Sequence, residues 1–218
     1  MGTLALIHTV PPLIEVFKKL CTDILPDVQV MHVLDEPLLK VIQQNPDSKR
    51  DHLVQRLKDH VLISKEAGAD AVLVTCSSVS PLVDDIRDEC GIPVFKIDEA
   101  MVAEAVRQGS RIGVVATAST TLEPTRQAIE GFAKSTGKKI EVKTVFVEDA
   151  LQFLMQGKGA LHDRKVKDAV KRLSKAVEVV VLAQASMARV LKVIPDAERE
   201  VPILTSPHLA LEEVKSYL

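Results

Sequence analysis

Several features are missing or scarce in this chain, and each absence excludes a class of function. No tryptophan and only one tyrosine occur among its 218 residues, which disfavours an aromatic platform for stacking ligands. Lysine and arginine total 28 against 30 acidic residues, so no basic excess favours nucleic acid as a partner. Neither a GxGxxG nor a GxxxxGK[ST] pattern is present, and no apolar run approaches the roughly 18 residues of a membrane span. These absences favour a small-molecule site or a protein partner, with no membrane partner.

Cysteine is also scarce, and its spacing excludes a metal or disulfide framework. The three residues Cys21, Cys76 and Cys90 form an odd set without CxxC spacing. We therefore expect a cytoplasmic protein that has no metal ion. Cys21 lies in a helical pattern and Cys90 precedes a glycine, so both are predicted to be inert, partly buried side chains.

The remaining pattern is typical of an α/β protein. Short runs of valine, isoleucine and leucine alternate with amphipathic stretches, as expected for parallel strands covered by helices on both faces. The longest helices are predicted near Ser48–Ala67, Thr120–Lys134 and Leu161–Ala176. Strands are predicted at Thr3–Ile7, Val28–Val33, Ala71–Thr75, Pro93–Phe95, Arg111–Val115, Glu141–Val147, Val179–Ala183 and Ile203–Thr205.

The chain also contains a repeat as long as half of its length. The strand that ends at Cys76 has a second copy 108 residues later, where Gln184 occupies the matching position. The segment Leu4–Thr9 matches Ile112–Thr117 at the same spacing. A period of this size predicts two pseudo-symmetric halves, each a parallel sheet flanked by helices. We expect the first half to comprise residues 1–97 plus 206–218 and the second to comprise residues 98–205.

The candidate site follows from the place of the polar loops. Ligands of open parallel sheets gather at the carboxyl ends of strands, where loop amides point outward. If the halves face each other, the four loops would line one cleft, with Cys76 opposite Gln184. The four loops that follow equivalent strands are His8–Pro12, Thr75–Ser78, Thr117–Thr121 and Gln184–Met187.

These loops are rich in hydroxyl groups and poor in fixed positive charge, which favours a small carboxylate-bearing substrate. Backbone amides at helix starts attract carboxylates without lysine or arginine. The same positive helix end is expected to lower the pKa of Cys76, and the resulting thiolate can act as a base or a nucleophile. His208, at the end of the last strand, is a further candidate for substrate contact. The predicted substrate-binding residues are Thr9, Ser77, Ser78, Thr117, Thr121, Ala185 and Ser186.

The residues resemble the aspartate/glutamate/hydantoin racemase superfamily over essentially the whole chain. The matching motifs are the TCSS end of a strand at Thr75–Ser78 and a glycine-bearing strand that enters a threonine-rich turn at Arg111–Thr121. The segment AQASMA at Ala183–Ala188 looks like the GCAGMA motif of hydantoin-racemase-like members, which sets Gln184 on their second catalytic cysteine.

The resemblance implies a reaction without cofactor. Family members use two cysteines, one to remove the proton α to a carboxylate and the other to reprotonate the opposite face. Cys76 matches one of them, but an amide such as Gln184 neither ionises nor donates a proton usefully at pH 7. Loss of one positioned acid or base costs about 10²- to 10⁴-fold in rate. The expected activity is therefore racemase- or isomerase-like chemistry by the single thiol Cys76.

Several alternatives stay open. One alternative is that His8 titrates near neutrality and replaces the missing acid or base. The other is that His8 is a structural histidine bonded to a carbonyl. A decarboxylase or lyase would use the same thiol, and Pro11 lies in a VPP segment similar to the substrate loop of the relative arylmalonate decarboxylase. Covalent attack by Cys76 on a double bond is a further possibility. A catalytically idle binder, in which Gln184 records lost chemistry, is the alternative outside enzymology. A homodimer is expected because symmetric dimers are the commonest oligomers.

Overall fold

A computed structural model describes residues 2–44 and 49–218, in which strands and helices alternate along the chain. The predicted α/β fold with two parallel sheets flanked by helices is confirmed. The strands are β1 Thr3–His8, β2 Gln29–Leu34, β3 Ala71–Val74, β4 Val94–Lys96, β5 Arg111–Ala116, β6 Glu141–Phe146, β7 Val179–Leu182 and β8 Ile203–Thr205. The α-helices are α1 Pro12–Ile24, α2 Glu36–Gln44, α3 Arg50–Glu66, α4 Ser80–Val83, α5 Glu99–Gln108, α6 Ser119–Ser135, α7 Ala150–Met155, α8 Gly159–Ser174 and α9 Ser206–Tyr217. Short 3-10 helices lie at Arg87–Glu89, Ala185–Lys192 and Asp196–Glu198.

The chain folds as two compact units. One comprises Met1–Ile97 together with Pro207–Leu218, and the other comprises Asp98–Ser206. Each unit contains one four-stranded sheet, in the order β2-β1-β3-β4 or β6-β5-β7-β8, and all strand pairs are parallel. In the described part of the chain, none of the helices combines the length and the apolar character needed to cross a membrane.

The core of the first unit lies between the sheet and its helices. Strand β3 is buried at all four positions, because helices cover both faces of a parallel sheet. Leu57 and Val61 on α3 pack in one cluster with Ile7 of β1 and Val74 of β3. The predicted start of α3 at Ser48 lies outside the described residues, and the helix as described begins at Arg50.

The second unit repeats this arrangement with closer packing of one helix on the sheet. Val170 on α8 packs with Val115 of β5 and Leu182 of β7. A Cβ atom at Gly113 on β5 would lie only 2.6 Å from Cδ2 of Leu173 on α8. Glycine is therefore required at this strand position because the helix approaches the strand backbone closely.

The register of the central strands is the same in the two units. In the first, Ile7 pairs with Val74, and the N–H of Thr75, the residue that follows β3, donates to the Ile7 carbonyl at 3.0 Å. In the second, Val115 pairs with Leu182, and the N–H of Ala183 donates to the Val115 carbonyl at 3.0 Å. Both pairs are related by the 108-residue repeat, so each half delivers its loop residues from an equivalent backbone frame.

Candidate active site

Cys76 differs from the other two cysteines in its exposure. It stands two residues beyond β3 and is partly exposed, whereas Cys21 and Cys90 are buried. Burial raises the pKa of Cys21 to about 11 and also raises the pKa of Cys90. The Cys90 thiol further donates to the Ile86 carbonyl at 3.2 Å. Cys76 is therefore the most exposed of the three thiols. That Cys21 and Cys90 are chemically inert stays a prediction.

The backbone after Cys76 forms a tight turn rather than a long helix. The carbonyl of Cys76 accepts hydrogen bonds from the N–H groups of Val79 and Ser80 at 2.9 and 3.0 Å. The helix that follows, α4, has four residues, about one turn. A helix of one turn has a small macrodipole, and that it acts on Cys76 stays a prediction.

The other candidate residues of the first unit differ in burial. Ser77 and Ser78 are buried directly after the thiol, and Pro11 is exposed at the start of α1. Thr9, one residue beyond β1, is only 2% exposed, yet its hydroxyl has no hydrogen-bond partner among residues 2–44 and 49–218. A buried hydroxyl without a partner is costly, so this group calls for a ligand that supplies an acceptor.

His8 is held in a buried hydrogen-bonded chain. Its Nδ1 lies 2.8 Å from Oγ1 of Thr75, and its Nε2 lies 2.9 Å from Nδ1 of His32. The Thr75 hydroxyl donates its one proton to the carbonyl of Ile7 at 3.0 Å, so it must accept from Nδ1–H of His8. Nε2 of the neutral His8 ring then accepts from His32. The chain of donors ends at the residue that precedes Cys76.

Burial argues against the alternative in which His8 titrates near neutrality. The side chain is fully buried, and desolvation, followed by the nearby His32, lowers the pKa of His8 to about 4. Desolvation, and to a lesser extent Lys18, also lowers the pKa of His32. His8 is therefore a neutral ring at pH 7 with both nitrogen atoms engaged, and it is a poor replacement for a missing acid.

In the second unit, Gln184 binds the loop that follows β5. Its Oε1 accepts from the backbone N–H of Thr117 at 2.6 Å and from the Thr117 hydroxyl at 3.2 Å. The atom beside a backbone N–H must be the amide oxygen, because an NH₂ group cannot accept a proton from it. The carboxamide oxygen is thus fixed on Thr117, and the nitrogen is the end that remains to donate.

The other predicted site residues differ in position and in exposure. Thr121 is buried in the first turn of α6, and Ala185 and Ser186 begin the 3-10 helix after Gln184, with Ser186 partly exposed. His208 is exposed in the first turn of α9. In residues 2–44 and 49–218, no group of three or more His, Cys, Asp or Glu side chains is placed to hold a metal ion. That Cys76 and Gln184 share one cleft stays a prediction.

Sequence reasoning missed two participants in the His8 chain. His32 lies on β2, and the register that pairs it with Leu6 brings its ring against His8 at a centroid distance of 5.2 Å. Thr75 was predicted as part of a site loop, without a contact to His8. Strand order must be known before β1, β2 and β3 can be recognised as neighbours.

Comparison with known proteins agrees with this architecture. The model of the family described as Asp/Glu/hydantoin racemase matches residues 11–214. A glutamate racemase of Francisella tularensis, solved in complex with D-glutamate, superposes with a TM-score of 0.75 at 16% identity, covering 100% of this chain and 81% of that one. An allantoin racemase of Klebsiella pneumoniae gives a TM-score of 0.72 at 18% identity, covering 99% and 87%. At such identities these structures establish the fold alone.

A curated relative adds sequence similarity without a known function. An uncharacterised protein of Schizosaccharomyces pombe is 27% identical over 148 residues, which are 66% of this chain and 62% of the relative. The match therefore spans less than two thirds of that relative's length. The family match, by contrast, extends over nearly all of the chain and confirms the resemblance carried by the TCSS and AQASMA motifs. The chain belongs to the Asp/Glu/hydantoin racemase family.

Proposed function

We propose that this protein catalyses cofactor-independent proton transfer at the carbon next to a carboxylate, as a racemase- or isomerase-like enzyme with Cys76 as its acid/base. The observation that carries the proposal is the contrast among the thiols. Cys76 is partly exposed in the loop that follows a fully buried strand, while Cys21 and Cys90 are buried. Family membership supports an enzyme that acts on a small carboxylate.

The reaction begins with removal of a proton from the substrate. The Cys76 thiolate takes the α-proton, the S–H bond forms, and the electron pair of the C–H bond moves into the adjacent carboxylate to give an enediolate. The electron pair of the enediolate then returns to the α-carbon, where it takes a proton and re-forms the C–H bond. No oxidant or reductant is needed, because only a proton is exchanged.

Hydrogen-bond donors of the first unit hold the carboxylate in this proposal. The Thr9 hydroxyl, buried and without a partner in the described part of the chain, donates to a carboxylate oxygen. Backbone amides of the loop at Ser77 and Ser78 stabilise the negative charge that grows on the carboxylate in the transition state. The binding group therefore lies beside the base that removes the proton.

Gln184 occupies the position that the resemblance assigns to the second catalytic cysteine, and it does not replace the thiol. Gln184 does not ionise, and its oxygen is engaged by Thr117. His8 is neutral and occupied at both ring nitrogens. Neither residue supplies a proton to the opposite face of the carbanion, so α-proton exchange by Cys76 is expected to outrun racemisation.

A second candidate function is decarboxylation or lyase chemistry. A one-sided site needs only one acid, and the engagement of the Gln184 oxygen by Thr117 leaves Cys76 as that acid. In this reaction the C–CO₂ bond supplies the electron pair of the enediolate, and the protonated Cys76 delivers the single proton that replaces CO₂.

The deciding experiment is proton NMR of the protein in D₂O with aspartate, glutamate, hydantoins, maleate and arylmalonates. Deuterium at the α-carbon supports proton transfer, and loss of CO₂ supports decarboxylation. The matched variants are Cys76→Ala and Cys21→Ala, which remove an exposed and a buried thiol. We expect Cys76→Ala to abolish turnover and Cys21→Ala to leave it unchanged. Turnover that survives in Cys76→Ala would contradict the proposal, and binding without turnover across the panel would identify an idle binder.

A further inference from the structure

We propose that Gln184 is a specificity-determining residue that occupies, with its own carboxamide oxygen, the second of two equivalent oxygen-binding positions. The ligand is then held by a carboxylate at Thr9 in the first unit, and no ligand oxygen binds at Thr117 in the second. This inference rests on the proposed function for its substrate class, a carboxylate.

The position at Thr117 is a complete oxygen-binding arrangement. One oxygen atom, Oε1 of Gln184, receives both the backbone N–H at 2.6 Å and the side-chain hydroxyl at 3.2 Å. Thr117 is 4% exposed and Gln184 is 9% exposed, so water does not compete freely for these donors. Two donors from one threonine that converge on a single oxygen are the arrangement that would hold a carboxylate oxygen.

The repeat relates this arrangement to the first unit. Thr9 and Thr117 each stand one residue beyond the first strand of their repeat, β1 and β5. Cys76 and Gln184 each stand two residues beyond the strand that pairs with it, β3 and β7, in the same register. Thr9 therefore has the backbone frame that Thr117 has, but the residue opposite it carries a thiol instead of a carboxamide.

A thiol cannot replace the carboxamide as the acceptor. Sulfur is a weak acceptor, and the side chain of Cys76 lacks the reach of a glutamine. The Thr9 hydroxyl is buried and has no partner in the part of the chain that the structure describes, while the Thr117 hydroxyl donates to Gln184. At this threonine position, the hydroxyl of the first unit has no acceptor among the described residues, and the hydroxyl of the second unit donates to the side-chain oxygen of Gln184.

The consequence concerns the ligand rather than the thiol. An oxygen of the ligand reaches Thr117 only if it displaces Gln184 from two buried hydrogen bonds, each of which adds to the cost. The replacement of cysteine by glutamine therefore does two things. It removes an acid/base, and it closes the oxygen position of the second unit to carboxylates.

The test is an amide titration of ¹⁵N-labelled protein with propionate, a simple monocarboxylate. In the wild type, we expect the Thr9 amide to shift saturably and the Thr117 amide to stay unmoved. In Gln184→Ala, the Thr117 amide loses its acceptor and is expected to shift saturably as well. Gln184→Glu is the matched control, because its carboxylate keeps an oxygen on Thr117 and should leave that amide unresponsive.

Each outcome decides the proposal. A saturable shift of Thr117 in the wild type overturns it, because the position is then open. Silence of Thr117 in a folded Gln184→Ala protein also overturns it, because the position then does not bind carboxylate. If Gln184→Ala does not fold, Gln184→Met, which keeps the length of the side chain but has no oxygen, gives the same readout.

The titration is independent of turnover, so the two proposals fail separately. Absence of α-proton exchange together with the expected pattern of shifts would end the proposed reaction and leave Gln184 as the specificity residue of a binder. Exchange that depends on Cys76, together with a Thr117 amide that responds in the wild type, would keep the reaction and end the inference about Gln184.

Discussion

The two halves of this chain place different side chains on equivalent strand ends. In the first, His8 and Thr75 form a buried hydrogen-bonded pair beneath the loop of the thiol. In the second, the positions 108 residues later are Ala116 and Ala183, both fully buried. An alanine side chain cannot hydrogen-bond, so the polar chain exists in one half only. The two halves have equivalent backbones and differ in the side chains at these strand ends.

The difference extends to the loops themselves. Cys76 follows the polar chain of the first half, and Thr9 beside it keeps a hydroxyl without a partner in the described residues. Gln184 follows the apolar strand end of the second half and is bonded to Thr117. One half thus carries the candidate thiol and a threonine hydroxyl without a partner in the described residues, while in the other the matching threonine hydroxyl donates to Gln184. Equivalent folds do not imply equivalent chemistry, even within one chain.

The largest expected effect comes from replacing Cys76 and Gln184, the matching residues of the two halves, with alanine. Cys76→Ala should lower turnover by about 10²- to 10⁴-fold, because it removes the positioned acid/base. Gln184→Ala should change the rate by less than about tenfold, since it removes only a neutral hydrogen-bonding group. Proton NMR in D₂O measures both rates. Equal losses in the two variants would mean that the halves contribute equally to the chemistry.

The next effect is a loss of stability in acid that arises in the first half. Protonation of His8 is easier in the unfolded chain, with a pKa near 6.5, than in the folded protein, where the pKa is about 4. The stabilisation is complete above pH 6.5 and is lost as the pH falls toward 4. It amounts to about 3 kcal/mol of unfolding free energy at most, or about 1.4 kcal/mol per pH unit.

Urea unfolding between pH 7.5 and 4 measures this loss. The control is His8→Gln, which keeps a donor and an acceptor but does not titrate in this range, so its stability should fall less steeply than that of the wild type. Identical pH profiles for the two proteins would show that His8 is not the group responsible.

A smaller effect is expected where the second half packs more closely. Gly113→Ala should lower the free energy of unfolding by about 1–3 kcal/mol, because the new Cβ would lie 2.6 Å from Leu173. The first half has Ala5 at the equivalent position, where the alanine is part of the core. Thermal unfolding measures the change. Gly131→Ala, a helix position with nothing within 4 Å of the new Cβ, should instead stabilise by up to about 1 kcal/mol.

The smallest effect separates the two threonines. Thr117→Val removes a hydroxyl that donates to Gln184 and should cost about 1 kcal/mol of unfolding free energy. Thr9→Val removes a buried hydroxyl without a partner in the described residues, so it should be neutral or stabilising. Urea unfolding of the two variants compares them directly. A larger cost at Thr9 than at Thr117 would reverse the contrast between the halves.

The strands and most of the site loops were predictable because they depend on local patterns. Apolar runs such as Ala71–Val74 and Val179–Leu182 are strands at the predicted places, and the repeat places Cys76 and Gln184 correctly at their ends. The positive helix end that was expected after Cys76 belongs to the four-residue α4. The proline and the serines near the start of α4 do not show, from the sequence alone, where the helix ends.

By itself, the sequence determined the alternation of strands and helices, the repeat and the family, since each is encoded in residue types and their spacing. Tertiary structure decided the protonation of His8, its bonds to Thr75 and His32, and the engagement of Gln184 by Thr117. These properties depend on burial and on which strands are neighbours. Residues such as Thr117 and Gln184 are 67 positions apart in the chain, and only the parallel pairing of β5 with β7 brings them into contact.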